Sequence, residues 1–290
     1  MSKKIAITGS SGFIGKEIAQ RMNARGYETI SVKREHFYEG PQMVAELIDG
    51  ADLVVNLAGA PVLRKWTEVY KQEIYYSRVL NTRILAEAFH MAVNKPPLLI
   101  SASAVGIYNN TDVHDEYSEK LNGGFLASVC ADWEKETSSL KGLDSVRVAI
   151  LRLGVVLGRS GGAFPLLRMQ FNLLGGGKVG NGRQWFPFVH IDDLLGAIDF
   201  IIATPSAKGV YNIVTPVATT HTGFAKALGN AMHRPCWLTM PKWVLKTVYG
   251  EAASTLTEGQ CVKPHRLVSE GYRFHFPTVE EATADLGKRR

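Results

Sequence analysis

A glycine-rich stretch near the start of the chain constrains its fold more than any other feature. Gly9, Gly12 and Gly15 stand in "ITGSSGFIG" (residues 7–15), directly behind the apolar run "IAI". The spacing alone is a weak signal, because surface turns often contain glycines. Its place between a predicted strand and a predicted helix is typical of a turn that binds the diphosphate of a dinucleotide. A strand–helix turn without a ligand is the alternative.

Each glycine has its own physical role in such a turn. Without a Cβ, Gly9 permits the tight turn, Gly12 permits the approach of a diphosphate, and Gly15 permits close packing of helix on strand. The free N–H groups and the positive end of the helix then bind phosphate. The sequence predicts that the cofactor contacts Gly9, Ser10, Ser11, Gly12, Phe13, Ile14 and Gly15.

Short apolar segments alternate with helical patterns in the first half of the chain, which indicates βαβ units and a parallel sheet. The predicted strands are 4–8, 29–33, 53–57, 98–102, 146–153, "FPFVH" and 209–214, and the predicted long helices are 68–91 and 125–140. We therefore expect the α/β class, with a Rossmann-type doubly wound parallel sheet and a smaller α+β C-terminal substrate domain.

The pattern changes near residue 155, where we expect a domain boundary. Glycines crowd 157–162 and 174–185 and predict loops rather than sheet. Residues 1–155 are expected to form the nucleotide-binding domain, joined by segments near 186–204. Residues 156–290 are expected to form most of the substrate domain.

Composition argues against several function classes. Of the 290 residues, 46% are hydrophobic and 21% are charged, which is an ordinary globular balance. No run approaches the roughly 18 apolar residues of a membrane helix, so we expect no membrane partner. The net charge of +6 comes without a dense Lys/Arg run, which favours a small anion over nucleic acid. A strand that begins by Lys4 predicts a cytoplasmic protein without a targeting segment, with a processed organellar form as the alternative, and the three separated cysteines are predicted to be buried thiols.

The end of the second predicted strand indicates which nucleotide binds. In folds of this type an acidic side chain at that point binds the ribose 2′-hydroxyl of NAD. This chain has Lys33 and Arg34 instead. A guanidinium suits a 2′-phosphate, so the sequence favours NADP(H). Two solvated surface cations are the alternative.

The end of the third predicted strand, "NLAGAP", offers small residues to the same groove. We expect the cofactor to border Asn56, Leu57, Ala58 and Gly59, although small residues there also suit simple packing.

Together, "TGSSGFIG", "DLVVNLAGAP" and "ISASAVGIY" resemble the extended short-chain dehydrogenase/reductase superfamily. More narrowly, "SRVLNTRIL", "LRLGVVLGRSGGA" and "LTEGQCVKP" resemble the branch called epimerase family proteins, which ends in a domain of unknown function, here 243–290. The resemblance implies an NADP(H)-dependent oxidoreductase or epimerase-like enzyme. It also implies a homodimer in which helices 68–91 and 125–140 form a four-helix bundle.

The superfamily's proton-transfer pair is missing. Its members use a Tyr with a Lys four residues later, and none of the ten tyrosines here has that lysine. In "GGFLASVCADWE", Phe125 or Leu126 stands at the Tyr position, and Val129 or Cys130 stands at the Lys position. The proton-transfer group of an enzyme would therefore differ, and a non-catalytic NADP-sensing or scaffold protein is the alternative.

Two residues are candidates for catalysis. Ser103 fits the superfamily's serine at the end of the fourth strand, although a serine that only satisfies backbone groups fits as well. Tyr108 is a second-rank acid/base candidate without a lysine partner. The resemblance also implies cofactor contacts for Ser101, Ala102, Arg152, Gly154 and Val155.

Sugar-nucleotide enzymes of the extended type carry an Arg just before an "FVHVDD"-like strand. This chain has Phe186 and Pro187 there, which disfavours a nucleotide-sugar substrate. We expect Arg183, Gln184 and Trp185 to face a smaller anion instead. We interpret "HIDD" (190–193) as a helix cap formed by an aspartate, and we expect no metal.

Overall fold

The computed structural model describes residues 3–119, 121–174 and 176–288. Its first half contains β1 (Lys3–Thr8), α1 (Phe13–Ala24), β2 (Tyr27–Val32), α2 (Arg34–Glu39), α3 (Pro41–Ile48), β3 (Leu53–Asn56), α4 (Glu68–Tyr75), α5 (Asn81–Met91), β4 (Leu98–Ala104), β5 (Val113–His114), α6 (Phe125–Glu136) and β6 (Arg147–Leu153). A π-helical segment, Tyr76–Leu80, joins α4 to α5, and short 3-10 helices span Val105–Ile107 and Thr137–Gly142.

The second half contains β7 (Val155–Gly158), β8 (Gly161–Gly162), α7 (Phe164–Leu174), β9 (Gly176–Val179), β10 (Phe188–His190), α8 (Ile191–Ala203), β11 (Gly209–Ile213), α9 (His221–Met232), β12 (Cys236–Met240), α10 (Lys242–Tyr249), α11 (Ser254–Thr257), β13 (Cys261–Val262), α12 (His265–Ser269) and α13 (Val279–Gly287). A 3-10 helix, Gly250–Ala253, lies between α10 and α11. Within the described ranges, no helix is both long and apolar enough to cross a membrane.

The central sheet has six parallel strands in the order β2-β1-β3-β4-β6-β11. This arrangement confirms the predicted α/β class and the Rossmann-type parallel sheet. From β1 the chain goes outward to β2 and then crosses over to β3 on the other side. Such a reversal opens a crevice at the carboxyl ends of β1 and β3, where sheets of this type bind their ligands.

Both faces of the sheet are covered, which explains why its strands are continuously apolar. Ile5 and Ile7 pack with α1 and α8 on one face, whereas Ala6 between them packs with α3 and α5 on the other. Side chains alternate along a strand, so every position of such a strand is buried.

The chain leaves the central sheet at Gly154. The amide of Gly154 still donates to Ile213 O, but the amide of Val155 donates to Pro187 O in a second, three-stranded sheet of order β10-β7-β8. A Cβ on Gly154 would lie 2.8 Å from Pro187 O, so the crossing requires glycine. The change in sequence pattern near residue 155 coincides with this crossing.

The prediction of loops at 157–162 is wrong, because these residues belong largely to β7 and β8. Their glycines are needed for packing: the ring of Phe13 lies where a Cβ on Gly158 or Gly161 would be, and a Cβ on Gly162 would lie 2.5 Å from Val156 O. The glycines at 157–162 therefore make room for an aromatic ring that packs on the β7–β8 hairpin, and they do not indicate a flexible loop. The loop prediction at 174–185 is wrong for Gly176–Val179, which form β9, and Gly175 lies outside the described residues.

The prediction of an aspartate cap at "HIDD" is also wrong. The cap of α8 is His190, whose Nδ1 accepts a hydrogen bond from the amide of Asp192 at 3.2 Å. The carboxylate of Asp193 is buried and accepts from the amides of His275 at 2.7 Å and Phe276 at 2.9 Å. Asp193 thus fastens the C-terminal segment to α8.

We expect Asp193→Ala to lower the free energy of unfolding by about 2–3 kcal/mol, because it leaves two backbone donors without their acceptor. Urea denaturation measures the change. Asp192→Ala is the matched control: its side chain is 56% exposed, and we expect less than about 1 kcal/mol. Equal losses in the two variants would contradict this role for Asp193.

Candidate functional site

The glycine turn has the shape of a phosphate cradle. Gly9 adopts a φ of +69°, and a Cβ there would lie 2.9 Å from Leu57 O. The amide of Gly12 donates to Gly9 O at 3.0 Å, and α1 begins at Phe13. No side chain caps α1, and its first turn contains no acidic residue. The first N–H groups of this twelve-residue helix are therefore available to an anion.

Gly15 has a different role from the one that its position predicts. A Cβ on Gly15 would meet the turn itself, 2.8 Å from the Cα of Ser10 and closer still to Gly9 O. The turn thus lies directly on the first turn of α1 because position 15 has no side chain. The Ser10 hydroxyl contacts that of Ser31 on β2, which connects the turn to the neighbouring strand.

A buried hydrogen-bond network ties the ends of β1 and β3 together. The Thr8 hydroxyl donates to Asn56 Oδ1 at 2.8 Å and accepts from the amides of Leu57 and Ala58 at 3.0 Å each. The Asn56 amide group donates in turn to Thr82 at 2.8 Å. The polar side-chain atoms of Asn56 are hydrogen-bonded within the protein, so Asn56 positions the third βα turn. A ligand at this turn would contact its backbone instead.

Lys33 and Arg34 lie at the end of β2, on the other side of the crevice. Arg34 is 60% exposed, and its Nη1 lies 3.6 Å from Glu73; Lys33 is 63% exposed, with its Nζ 3.4 Å from Glu35. Exposed pairs of this kind contribute little, so both cations can turn to a more strongly charged group such as a phosphate.

Ser103 and Arg152 meet at one carboxylate that the sequence did not single out. Glu134, on α6, accepts from the Ser103 hydroxyl at 2.6 Å and from Arg152 through two bonds of 2.8 and 2.7 Å. Arg152 also donates to the Tyr108 hydroxyl at 2.7 Å. Only tertiary packing brings these residues together, so no local motif indicated Glu134.

The structure encloses Tyr108. Its side chain has no exposed surface, its ring stacks on His114 at 4.8 Å, and its hydroxyl donates to Asn212 at 2.9 Å. Burial raises the pKa of Tyr108. A phenol held in this way is a poor acid/base group for a bound ligand, and the geometry supports an internal role for it.

Cys130, one of the two residues expected at the superfamily's lysine position, is a buried thiol on α6. Burial, reinforced by the Glu134 carboxylate, raises the pKa of the Cys130 thiol to about 11. One turn earlier on α6, Leu126 offers no titratable group. Among the described residues no cluster of three or more His, Cys, Asp or Glu side chains is arranged to hold a metal ion.

The other predicted contacts are distributed more widely. Ser101 and Ala102 are buried in β4, and the amides of Gly154 and Val155 are already bonded to backbone carbonyls. Their contacts with a cofactor stay predictions.

Arg183, Gln184 and Trp185 do not converge on one point. Arg183 is exposed, the Gln184 amide donates to Val179 O at 3.0 Å, and Trp185 forms a backbone bridge with Thr220. Their contact with a substrate also stays a prediction.

Comparison with known proteins agrees with this geometry. Residues 5–214 match the model of the NAD dependent epimerase/dehydratase family. The chain belongs to this family. Residues 240–286 of the chain also match DUF1731, a domain of unknown function.

Relatives within the family extend the similarity over the whole chain. The mouse (Mus musculus) epimerase family protein SDR39U1 is 36% identical over 295 residues, covering 98% of this chain and 99% of its own. The crystal structure of human epimerase family protein SDR39U1 (isoform 2) with NADPH has a TM-score of 0.90 and 32% identity, covering 98% of this chain and 99% of the human one. A nucleoside-diphosphate sugar epimerase from Corynebacterium glutamicum has a TM-score of 0.78 and 30% identity, covering 99% of this chain and 58% of its own.

We expect the Cys130 thiol of the native protein to react with a disulfide reagent at pH 8 about 100-fold or more slowly than in urea, because its raised pKa and its burial keep it protonated and covered. A Cys236→Ser/Cys261→Ser variant leaves Cys130 as the sole thiol. The rate is followed by absorbance, with the Cys130→Ser triple variant as the blank. Fast reaction of the native protein would mean that the thiol is ionised and accessible.

Proposed function

We propose that the protein binds NADP(H) in the crevice between β1 and β3 and acts as an atypical extended short-chain dehydrogenase/reductase. The observation that carries the proposal is the cradle formed by Gly9, Gly12 and Gly15, in which a Cβ at 9 or 15 would collide with backbone. The NADPH in the human relative's structure supports the choice of nucleotide.

The chain's own residues have separate tasks in this proposal. The free amides at the start of α1 bind the diphosphate, and Arg34 with Lys33 binds the 2′-phosphate. Thr8 holds the third βα turn, including Ala58 and Gly59, against the nucleotide. When bound, the nicotinamide ring supplies or accepts a hydride.

Redox or epimerase-like chemistry at this site needs a proton donor other than the Tyr-Lys pair. Ser103 is not that donor in this arrangement, because its hydroxyl already donates its proton to Glu134; its oxygen lone pairs can still accept a hydrogen bond from a substrate group. In this role Ser103 orients the substrate, while Glu134 holds the serine proton and Arg152 balances the carboxylate charge.

A second candidate function is that of a non-catalytic NADP-sensing or scaffold protein. A protonated thiol at Cys130, an alkyl group at Leu126 and an enclosed phenol at Tyr108 favour it, because none of them transfers a proton readily at neutral pH. Oxidation of bound NADPH by any member of a panel of carbonyl compounds would decide for the enzyme.

The compartment and the oligomeric state belong to the same proposal. Free thiols at all three cysteines suit a reducing compartment such as the cytosol.

The exposed apolar side chains along α4 and the π-helical segment support a homodimer through these helices. They are Val69, Tyr76 and Leu80, which expose 78%, 53% and 40% of their surface. We expect size-exclusion chromatography with light scattering to give twice the mass of one chain, and a single-chain mass would contradict the dimer.

The test of nucleotide binding is a fluorescence titration with NADPH and NADH. We expect Arg34→Asp to weaken NADPH binding about 10- to 100-fold by losing charge-assisted bonds to the 2′-phosphate, and to change NADH binding far less. Arg168→Asp, an exposed arginine on α7, is the matched control and should bind both nucleotides like the parent. Absence of saturable NADPH binding to the parent would overturn the proposal.

A further inference from the structure

A half-buried cation stands at the third βα turn. Arg78, in the π-helical segment, reaches Gly59 so closely that a Cβ there would lie 2.8 Å from the guanidinium carbon. Its Nη2 donates to Ala60 O at 2.9 Å, and its Nη1 donates to Ile74 O at 3.3 Å. On the other side, the guanidinium carbon lies 5.5 Å from the centre of the Trp133 ring on α6. Arg78 therefore occupies the space between this turn and α6.

The charge of Arg78 has no anionic partner in the described part of the chain. Its titratable neighbours are Cys130 and Tyr70, a thiol and a phenol, which are neutral at pH 7. Burial lowers the pKa of Arg78, yet a guanidinium stays charged in proteins. By contrast, Arg152 is paired with Glu134 and Arg83 with Glu136. Among the described residues, two of the five N–H donors of Arg78 have acceptors, which leaves three for a ligand.

The position of Arg78 relative to the glycine turn indicates which ligand atoms it meets. A dinucleotide crosses the crevice with its diphosphate at the helix N-terminus and one mononucleotide half on either side. Arg34, on the β2 side, faces the adenosine half. Gly59 follows β3 on the opposite side, so Arg78 borders the half that carries the nicotinamide.

The local backbone supports a binding role. Tyr76–Leu80 forms a π-helical turn within an otherwise α-helical stretch, and such turns are frequent at functional sites. A half-buried cation without a counterion is also costly for folding, so its presence favours a function.

We propose that Arg78 binds the nicotinamide half of the dinucleotide through its free donors, an inference that rests on the proposed function. We further propose that Arg78 makes the nucleotide site bind NADPH more tightly than NADP⁺. Ribose hydroxyls supply acceptors for those donors. The oxidised ring carries a positive charge, whereas the reduced ring is neutral, and a nearby cation of low solvation repels the former.

The test compares three probes by isothermal titration calorimetry: NADPH, NADP⁺ and 2′,5′-ADP, which lacks the nicotinamide half. The variants are Arg78→Met, which keeps the stem and removes the charge, and Arg78→Lys, which keeps the charge. Arg83→Met, on the same helical stretch but paired on the surface with Glu136, is the matched control. Far-UV circular dichroism and Tm report whether each variant folds.

We expect Arg78→Met to bind NADPH about 10- to 100-fold more weakly, while its affinity for 2′,5′-ADP stays within about 2-fold of the parent. The parent should bind NADPH about 10-fold or more tightly than NADP⁺, and Arg78→Met should lose most of that preference. Arg78→Lys should retain the preference with a weaker NADPH affinity, and Arg83→Met should match the parent.

Other results overturn the inference in distinguishable ways. Equal loss of NADPH and 2′,5′-ADP in Arg78→Met would assign Arg78 a structural role. An unchanged preference between the two redox forms would remove the electrostatic role. If Arg78→Met does not fold, Arg78→Lys is the decisive variant. An Arg78→Lys protein that folds like the parent but binds NADPH and NADP⁺ equally well would contradict the inference. Failure of the parent to bind even 2′,5′-ADP would refute the proposed function itself.

Discussion

The hydroxyl of Thr8 holds the interaction on which the rest of the site depends. By one donated and two accepted hydrogen bonds it locks the end of β1 to the first residues after β3, and so fixes the glycine turn relative to the third βα turn. The bond to Asn56 is buried and the bonds from Leu57 and Ala58 are partly buried, where an unmade hydrogen bond costs more than a made one contributes. The crevice therefore keeps its width without help from a ligand, and a nucleotide would meet a prepared surface rather than one it must order.

Sequence patterns predicted the sheet and the glycine turn because their physical causes are local. A strand buried on both faces appears in the sequence as a short apolar run. A position where a Cβ would collide with backbone appears as a glycine. Short helices such as α2 and α3, which lack long periodicity, were not predicted. The predicted single helix at 68–91 is divided by a π-helical turn that no propensity indicates. Glu134 and Arg78 were missed since their partners come from distant segments.

Family membership alone does not determine the chemistry of this protein. The fold, the cradle and the cations at β2 agree with the dinucleotide-binding branch of the family. Where we expect the family's acid/base pair, α6 carries Phe125 or Leu126 and then Val129 or Cys130, none of which is a tyrosine or a lysine. Charged groups near that region are Glu134 on α6, Arg152 on β6 and Arg78 in the π-helical segment. The function of such a site must be argued from the side chains present in it, because proteins that share a fold need not share their catalytic groups.

The ring of Phe13 has a consequence for how this sequence can change. It belongs to the first turn of the nucleotide-binding helix, yet it fills the space above three glycines of the β7–β8 hairpin. A methyl group added at Gly161 has no room unless the aromatic ring shrinks, and a smaller residue at position 13 leaves a void above the hairpin. Substitutions at Phe13, Gly158 and Gly161 are therefore coupled, although position 13 lies nearly 150 residues from the hairpin in the chain.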